Sequence, residues 1–366
     1  MIKVTLTNEI LRYITEIEQN RYKVSSVKLS KTVMNKLRKN SKKKSSYASN
    51  KIEGNPLSEK QVDEVIESDE RKHYLKPEQE VRNYFLALNY LEEKVSKKEK
   101  FSTKLILDVQ KLVEKGASKE KIGLRGPMPP GVLFAVYDSK TGNPDYIPPE
   151  YCDIPGLLDE LVEYVNTTDD HPLIVAAVVH YQLVTIHPFE DGNGRTARLL
   201  SGYIMDLNGY GFNGIGSLEE YFAYDIDEYY ESIQMGLPAL YYSGRENPPH
   251  PEIWINYFLR MVKLYSGKVC DLQLASEEED ITGSLSFLKG KEKELLQFLI
   301  KNYKGEFTPI EVSRKLSVTN KTIINRLAVL VKNGFVVPIL VNERIRSYEL
   351  SEFTRGHEKE IIKVIS

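Results

Sequence analysis

The stretch His187-Pro188-Phe189-Glu190-Asp191-Gly192-Asn193-Gly194-Arg195-Thr196-Ala197-Arg198 decides how the rest of the chain is read. A strongly apolar run, His171 to Ile186, leads into it and reads as a helix buried at a domain centre. A second helical pattern, Arg195 to Leu207, leads out. Between the two, Gly192 and Gly194 permit backbone conformations that other residues resist. Their N–H groups at a helix N-terminus form a natural anion site. Arg195 and Arg198 lie three apart and so share a helix face near that site. Two cations above a nest of N–H groups suit a polyphosphate. Asp191 is a hard oxygen ligand suited to Mg2+, and His187 is a base that takes a proton near neutral pH.

Rival motifs fail on spacing or context. Asp191-Gly192-Asn193-Gly194 resembles the start of a calcium-binding EF-hand loop, but its twelfth position would be Gly202 rather than Glu. Gly192-x-Gly194-x-x-Ala197 and Gly209-x-Gly211-x-x-Gly214 match the dinucleotide fingerprint, yet neither follows a strand. No Gly-x-x-x-x-Gly-Lys occurs, which excludes a P-loop. A helix-connecting loop with incidental charges would not gather His, Asp, Asn, two Gly and two Arg in twelve residues.

Upstream, residues 123–150 are rich in Gly and Pro. A strand-like run, Val132 to Tyr137, a turn cluster, Asp138 to Asn143, and Asp145-Tyr146-Ile147 predict a small β-hairpin inside a helical domain. Helical patterns cover 155–166, 103–115 and two segments between Ser58 and Lys94. Nearer the N-terminus, Ile10, Leu11, Ile14 and Ile17 recur at helical spacing, as do Leu29, Val33 and Leu37. The basic, serine-rich run Arg38 to Ser46 reads as a solvated loop, since no aromatics interleave with its charges. Ser49 to Glu53 reads as a short helical segment stopped by Gly54-Asn55-Pro56.

Downstream, helices are expected over 218–235 and 251–266, and the acidic stretch Glu277 to Asp280 reads as a linker. The last eighty residues change character. A helix, a short helix opened by Thr308-Pro309, a turn, a longer helix ending at Gly334 and two strands predict a winged helix-turn-helix. Residues 286–366 hold 15 Lys and Arg against 9 Glu and no Asp, a surplus of six positive charges. Lys321, Thr322, Asn325 and Arg326 fall where a recognition helix exposes side chains. DNA binding and protein docking are equal readings of that module.

The whole chain has 366 residues and a net charge of −2, which argues against wholesale attachment to nucleic acid or an acidic membrane. Cys152 and Cys270 imply neither a disulfide framework nor a metal site, in keeping with a reducing, cytoplasmic setting. No stretch reaches the roughly 18 apolar residues of a membrane span, and the N-terminus does not read as a secretory leader. The reading is therefore mostly α: an N-terminal helical region at 1–79, a core at 80–265 with a hairpin flap, a linker at 266–285, and a winged helix at 286–366.

The segment 187–198 resembles the Fic family motif H-x-F-x-[D/E]-G-N-G-R-x-x-R at every defined position. The resemblance implies a mostly helical Fic core that transfers AMP from ATP to a Ser, Thr or Tyr hydroxyl of a target protein. His187 would take the hydroxyl proton, and Asp191 would hold Mg2+. Gly192, Asn193 and Gly194 would stabilise the transferring phosphate, while Arg195 and Arg198 would hold the outer phosphates. Phe189 would anchor the loop in the core. Gly123-Leu124-Arg125 and Tyr146-Ile147-Pro148-Pro149 bracket the hairpin as in the family's target-binding flap, so a target segment would dock near Val132–Ile147. Tyr229 and Tyr230 fall where the family places aromatics near adenine.

Ser49-Asn50-Lys51-Ile52-Glu53-Gly54 resembles the family's inhibitory motif [S/T]-x-x-x-E-[G/N], in the N-terminal position of class II members. There the glutamate pairs with the second motif arginine, here Arg198. The alternatives are AMP removal, with Glu53 acting on a water, and a DNA-binding regulator. Phosphate or phosphocholine transfer also occurs among relatives, but phosphorylating ones depart from G-N-G-R. Homodimerisation is left open.

Overall fold

A computed structural model describes the chain except residues 1, 69–70, 119–121, 133, 138–141, 236, 238–247, 249, 342 and 366, and the side chains of 145 and 278–280. Most of the turn cluster expected between the flap strands lies outside the described residues. Contacts divide the chain into two units. One holds residues 1–21 and 38–269, the other 22–37 and 270–366.

The first unit is helical. Helix α1 (Asn8–Ser26) is followed by α2 (Lys31–Ile52), α3 (Glu59–Glu67), α4 (Lys76–Ser96) and α5 (Thr103–Glu114). The run Arg38–Ser46, expected as a loop, is helical within α2. Its serines explain this: Ser41, Ser45, Ser46 and Ser49 are all buried, and Ser45 Oγ donates to Glu219 Oε2 at 2.7 Å. Tertiary hydrogen bonds replace the apolar stripe that periodicity looks for, so the polar pattern hid a docked helix. The stop is as expected. Gly54 sits at φ +80°, and Asn55 N–H bonds Asn50 O at 3.0 Å while Gly54 N–H bonds Lys51 O at 3.0 Å. These two bonds form a Schellman cap, and they hold Glu53 in the turn that leaves the helix.

Strands β1 (Val136–Tyr137) and β2 (Pro144–Tyr146) pair antiparallel, with Val136 opposite Tyr146. This hairpin is shorter than the sequence suggests; Pro148 and Pro149, which lack N–H donors, follow β2 closely. Helices α6 (Ile154–Thr167), α7 (Pro172–Ile186) and α8 (Asn193–Leu207) follow. Nearly every side chain of α7 is buried. Full burial of one such Val, Leu or Ile contributes roughly 1.5–3 kcal/mol, so α7 is the unit's central pillar. Asp225 splits the expected helix over 218–235 into α9 (Glu219–Tyr224) and α10 (Ile226–Gln234) by capping the latter, accepting from Glu228 N–H at 2.9 Å. Helix α11 (Pro251–Ser286) runs on through residues 266–285, so the expected linker is helical. Residues 268–282 contain neither Gly nor Pro, and their acidic side chains do not oppose a helix.

In the second unit, α12 (Gly290–Asn302), α13 (Pro309–Leu316) and α14 (Asn320–Lys332) precede an antiparallel hairpin of β3 (Val336–Val341) and β4 (Arg344–Leu350). Two short helices, α15 (Glu352–Gly356) and α16 (Glu358–Ile365), close the chain. Leu296, Leu299, Ile323, Leu327, Leu330 and Phe335 form its core. The order of elements is the expected one. Residues 22–37, assigned from sequence to the N-terminal region, cluster with this unit instead. Among the described residues, no helix is long and apolar enough to cross a membrane.

Candidate active site

The loop between α7 and α8 is held in a single shape. His187 ends α7 in the left-handed region, at φ 48°. Asn193 braces the turn from inside: its Oδ1 accepts from Phe189 N–H at 3.0 Å and its Nδ2 donates to Phe189 O at 2.9 Å. The expectation that the Asn193 side chain faces a phosphate thus meets an amide engaged with the loop's own backbone. Phe189 is fully buried, as expected of an anchor. Gly192, at φ +83°, caps α8; a Cβ there would lie 2.7 Å from Glu114 Oε1.

His187 is half-buried. Its Nδ1 lies 3.2 Å from Val184 O. A carbonyl only accepts, so Nδ1 carries the hydrogen and Nε2 keeps its lone pair. Desolvation lowers the pKa of the ring from 6.5 to about 4, against the Val184 hydrogen bond and assisted by the Arg125 charge. At neutral pH the ring is therefore an uncharged base. Its NMR titration in the free protein is expected to have a midpoint near 4, with a midpoint at the ordinary value contradicting this environment. Because the folded-state value lies below the unfolded one, His187 contributes stability that is present above pH 6.5 and is lost as pH falls toward 4.

Arg125 was flagged in sequence only as a residue before the hairpin, and the structure gives it more to do. Its Nε donates to His187 O at 2.8 Å and its Nη2 to Pro149 O. Its backbone N–H bonds Pro188 O at 2.9 Å, and its guanidinium lies 4.7 Å from the Phe134 ring centre. Tyr146 adds a bond to Thr185 O at 2.8 Å. Both ends of the flap are thereby tied to the His187 loop.

The two motif arginines have separate partners. Arg195 Nη2 lies 2.9 Å from Glu114 Oε1 and 3.3 Å from Asp191 Oδ1, and Nη1 lies 3.7 Å from Glu80 Oε1. Glu114, which no motif flagged, is fully buried, and desolvation raises its pKa to about 7, partly offset by Arg195. The expectation that Arg195 and Arg198 point together at one phosphate site is not met in this arrangement. Asp191 bonds Gly192 N–H at 2.8 Å. Among the described residues no group of three or more His, Cys, Asp or Glu could hold a metal. Mg2+ often relies on one carboxylate plus substrate phosphates and water, so Asp191 fits it only in company with a nucleotide.

Arg198 is almost completely buried and faces α2. Its Nε donates to Ser49 Oγ at 2.8 Å, its Nη1 to Tyr229 OH at 3.3 Å, and its Nη2 to Ser49 O at 3.0 Å and Glu53 Oε1 at 2.6 Å. Burial alone opposes its charge, but Tyr229, Glu53 and Tyr84 together raise its pKa. Glu53 also lies over the start of α8: a Cβ on Gly194 would fall 2.4 Å from Glu53 Oε1. The carboxylate thus occupies the space an anion would take at that helix N-terminus.

Tyr229 is 1% exposed, with its hydroxyl 3.0 Å from His180 Nε2 and its ring against Phe222 and Trp254. It is a core residue and offers no face to adenine. Tyr230 is 43% exposed and keeps that candidacy.

Residues 100–205 match the family model described as "Fic/DOC family". The chain is 27% identical over 206 residues to "Protein adenylyltransferase Fic" of Drosophila grimshawi, covering 54% of this chain and 40% of the relative. Against the protein of that name in Aedes aegypti it is 29% identical over 202 residues, covering 53% and 38%. The match spans about two fifths of the length of these relatives. The fold is similar to that of a Fic family protein from Desulfovibrio desulfuricans G20, with a TM-score of 0.61, 19% identity, and 96% of this chain and 98% of that one covered. It is also similar to Fic-1 of C. elegans, with a TM-score of 0.56, 23% identity and coverages of 73% and 72%. The chain therefore has the helical fold of these Fic proteins, and its residues 100–205 match the Fic/DOC family model.

Proposed function

We propose that this protein is an adenylyltransferase, moving AMP from ATP to a hydroxyl of a target protein, and that Glu53 holds it in a resting state. The observation that carries the reading is the neutral, tautomer-fixed His187 beside a helix N-terminus whose anion space Glu53 fills. His187 Nε2 takes the proton of a target Ser, Thr or Tyr hydroxyl, whose oxygen then attacks the α-phosphorus of ATP as pyrophosphate leaves. Backbone N–H groups at Gly192 to Gly194 stabilise the transferring group, and Arg198, once free of Glu53, binds the outer phosphates. Mg2+ held by Asp191 would neutralise phosphate charge. Positioning and electrostatics carry most of the rate in such transfers. The target segment lies along the flap near Val136 to Tyr146, pairing as an added strand. The inhibitory placement corresponds to class II. Intact-mass analysis after incubation with Mg·ATP tests the reading: Glu53→Gly protein, or a target mixed with it, should gain one AMP. Gain of a single phosphate, or of nothing on a target known to be modified, would overturn it.

A second reading concerns the C-terminal unit. On α14, Lys321, Ile324 and Asn325 are exposed while Ile323, Leu327 and Leu330 are buried, which leaves a mixed face carrying Lys321 and Asn325 outward. A winged helix that binds duplex DNA would use that face. The full chain, which retains residues 22–37, is expected to bind duplex at low salt, more weakly with Lys321→Ala and Arg326→Ala and with rising salt. Absence of binding at low salt would leave protein docking as the use of this face.

A further inference from the structure

A cavity of about 130 Å3 lies in the first unit, with Arg198 among its lining residues. Helix α2 supplies Ser41, Lys42 and Ser45 to its wall, α4 supplies Glu92, and α8 supplies Gly202 and Asp206. Leu88, Met205 and Phe222 make the remaining surface largely apolar. The run Gly209 to Gly214, which matched a dinucleotide fingerprint without its strand, contributes Tyr210, Gly211 and Gly214 to the wall. A Cβ at Gly211 would fall 2.0 Å from Asp206 Oδ1, so a side chain there would displace the Asp206 carboxylate. Gly202 stands inside α8, where a glycine costs roughly 0.5–1 kcal/mol relative to alanine. A Cβ at Gly202 would meet nothing within 4 Å, so no neighbour demands the glycine and the space is simply kept open.

The charges on this wall are unequal. Glu219 accepts from Tyr84 OH at 2.9 Å, Ser45 Oγ at 2.7 Å and Ser217 Oγ at 3.1 Å. Glu92 is bonded by Lys42, which also bonds Asn89 Oδ1 at 2.8 Å. The Asp206 carboxylate has no hydrogen bond or ion pair among the described residues. The residue as a whole is exposed; desolvation at the carboxylate, then the Glu219 and Glu92 charges, raise its pKa to about 7 against the opposing charge of Lys42. The described residues gather no set of ligands for a metal ion. An apolar cavity of about 150 Å3 holds a benzene-sized molecule, so this one has room for a small ring or short chain.

We propose that this cavity binds a small organic cation, an amine or guanidine with a compact apolar body, seated on Asp206 and closed in by α2. The wall is complete only while α2 is docked. A ligand that needs the docked arrangement binds it better than the open one and shifts the population toward it. Because α2 ends in the Ser49 and Glu53 contacts to Arg198, such a ligand acts as a co-inhibitor. This regulatory part rests on the proposed function; the binding part does not.

Benzylamine, with benzyl alcohol as its uncharged counterpart, serves as the probe on the full chain. Calorimetry is expected to show saturable benzylamine binding, at least tenfold weaker for benzyl alcohol and for Asp206→Asn. Gly202→Leu, which fills the space without a backbone clash, should abolish it while the unfolding temperature is kept. Hydrogen exchange of residues 41–53 should slow with benzylamine in the wild type. AMP transfer should fall in the wild type and not in Glu53→Gly. No saturable binding at millimolar benzylamine, or equal binding by Asp206→Asn, would overturn the site. Binding without slower exchange at 41–53 would overturn the co-inhibitor role. Binding that persists when Glu53→Gly transfers no AMP at all supports the site and refutes the proposed function alone.

Discussion

Glu53→Gly is expected to raise AMP transfer by on the order of a hundredfold, the cost of a misplacement of about 1 Å in a reacting geometry. The carboxylate does two things at once. It holds Arg198 Nη2 at 2.6 Å, and it fills the space above Gly194 where a phosphate would meet the first N–H groups of α8. A nucleotide entering against it meets a like charge and loses an arginine. Removing the side chain leaves Arg198 held by Ser49 and Tyr229, still charged and still in place. The Glu53 side chain is 31% exposed and lies beyond the end of α2, with the cap carried by Gly54 and Asn55, so the fold should tolerate the change. Nucleotide affinity should rise less than the rate. Arg198→Ala should not reproduce the activation, since it removes the phosphate ligand with the inhibitory contact. Equal rates for wild type and Glu53→Gly on a verified target would refute inhibition by Glu53 and leave the assignment of His187 intact.

His187→Ala, in the Glu53→Gly background, is expected to lower transfer by roughly 10²–10⁴-fold, the usual contribution of a positioned general base. ATP binding should persist, because the imidazole acts on the hydroxyl proton while N–H groups and Arg198 act on the phosphates. Loss of rate with binding intact, read by calorimetry with a non-hydrolysable analogue, separates this from a collapsed loop. Transfer at the parent rate would remove His187 from the chemistry.

How much of this could be read from the chain depended on which groups carry local information. The loop 187–198 announces itself, because each of its residues has a backbone or charge requirement met within the segment. The Schellman stop at Gly54 was equally local. Helix α2 was legible at its start, through Val33 and Leu37, and at its end. Its middle, Arg38 to Ser46, buries serines against Glu219 and its neighbours, and polar burial of this kind leaves no hydrophobic period to detect. Glu114 and Arg125 were missed as site residues for a related reason. Each reaches the loop from more than sixty residues away, and nothing adjacent in sequence marks a buried carboxylate or a clamp. Tyr229 shows the opposite error: a paired aromatic that suggested a ligand face is packed into the core beside Trp254. The acidic stretch near Glu277 suggested a break, but charge alone does not end a helix.

The most direct test of a Glu53-gated AMP transfer is to follow label from ATP marked at the α-phosphate and, separately, at the γ-phosphate. Wild type, Glu53→Gly and the Glu53→Gly/His187→Ala double variant are each incubated with target and Mg2+. Incorporation of α-label by Glu53→Gly, far above wild type and lost in the double variant, with no incorporation of γ-label, is the predicted result. Transfer of γ-label, or α-label incorporated equally by all three proteins, would contradict it.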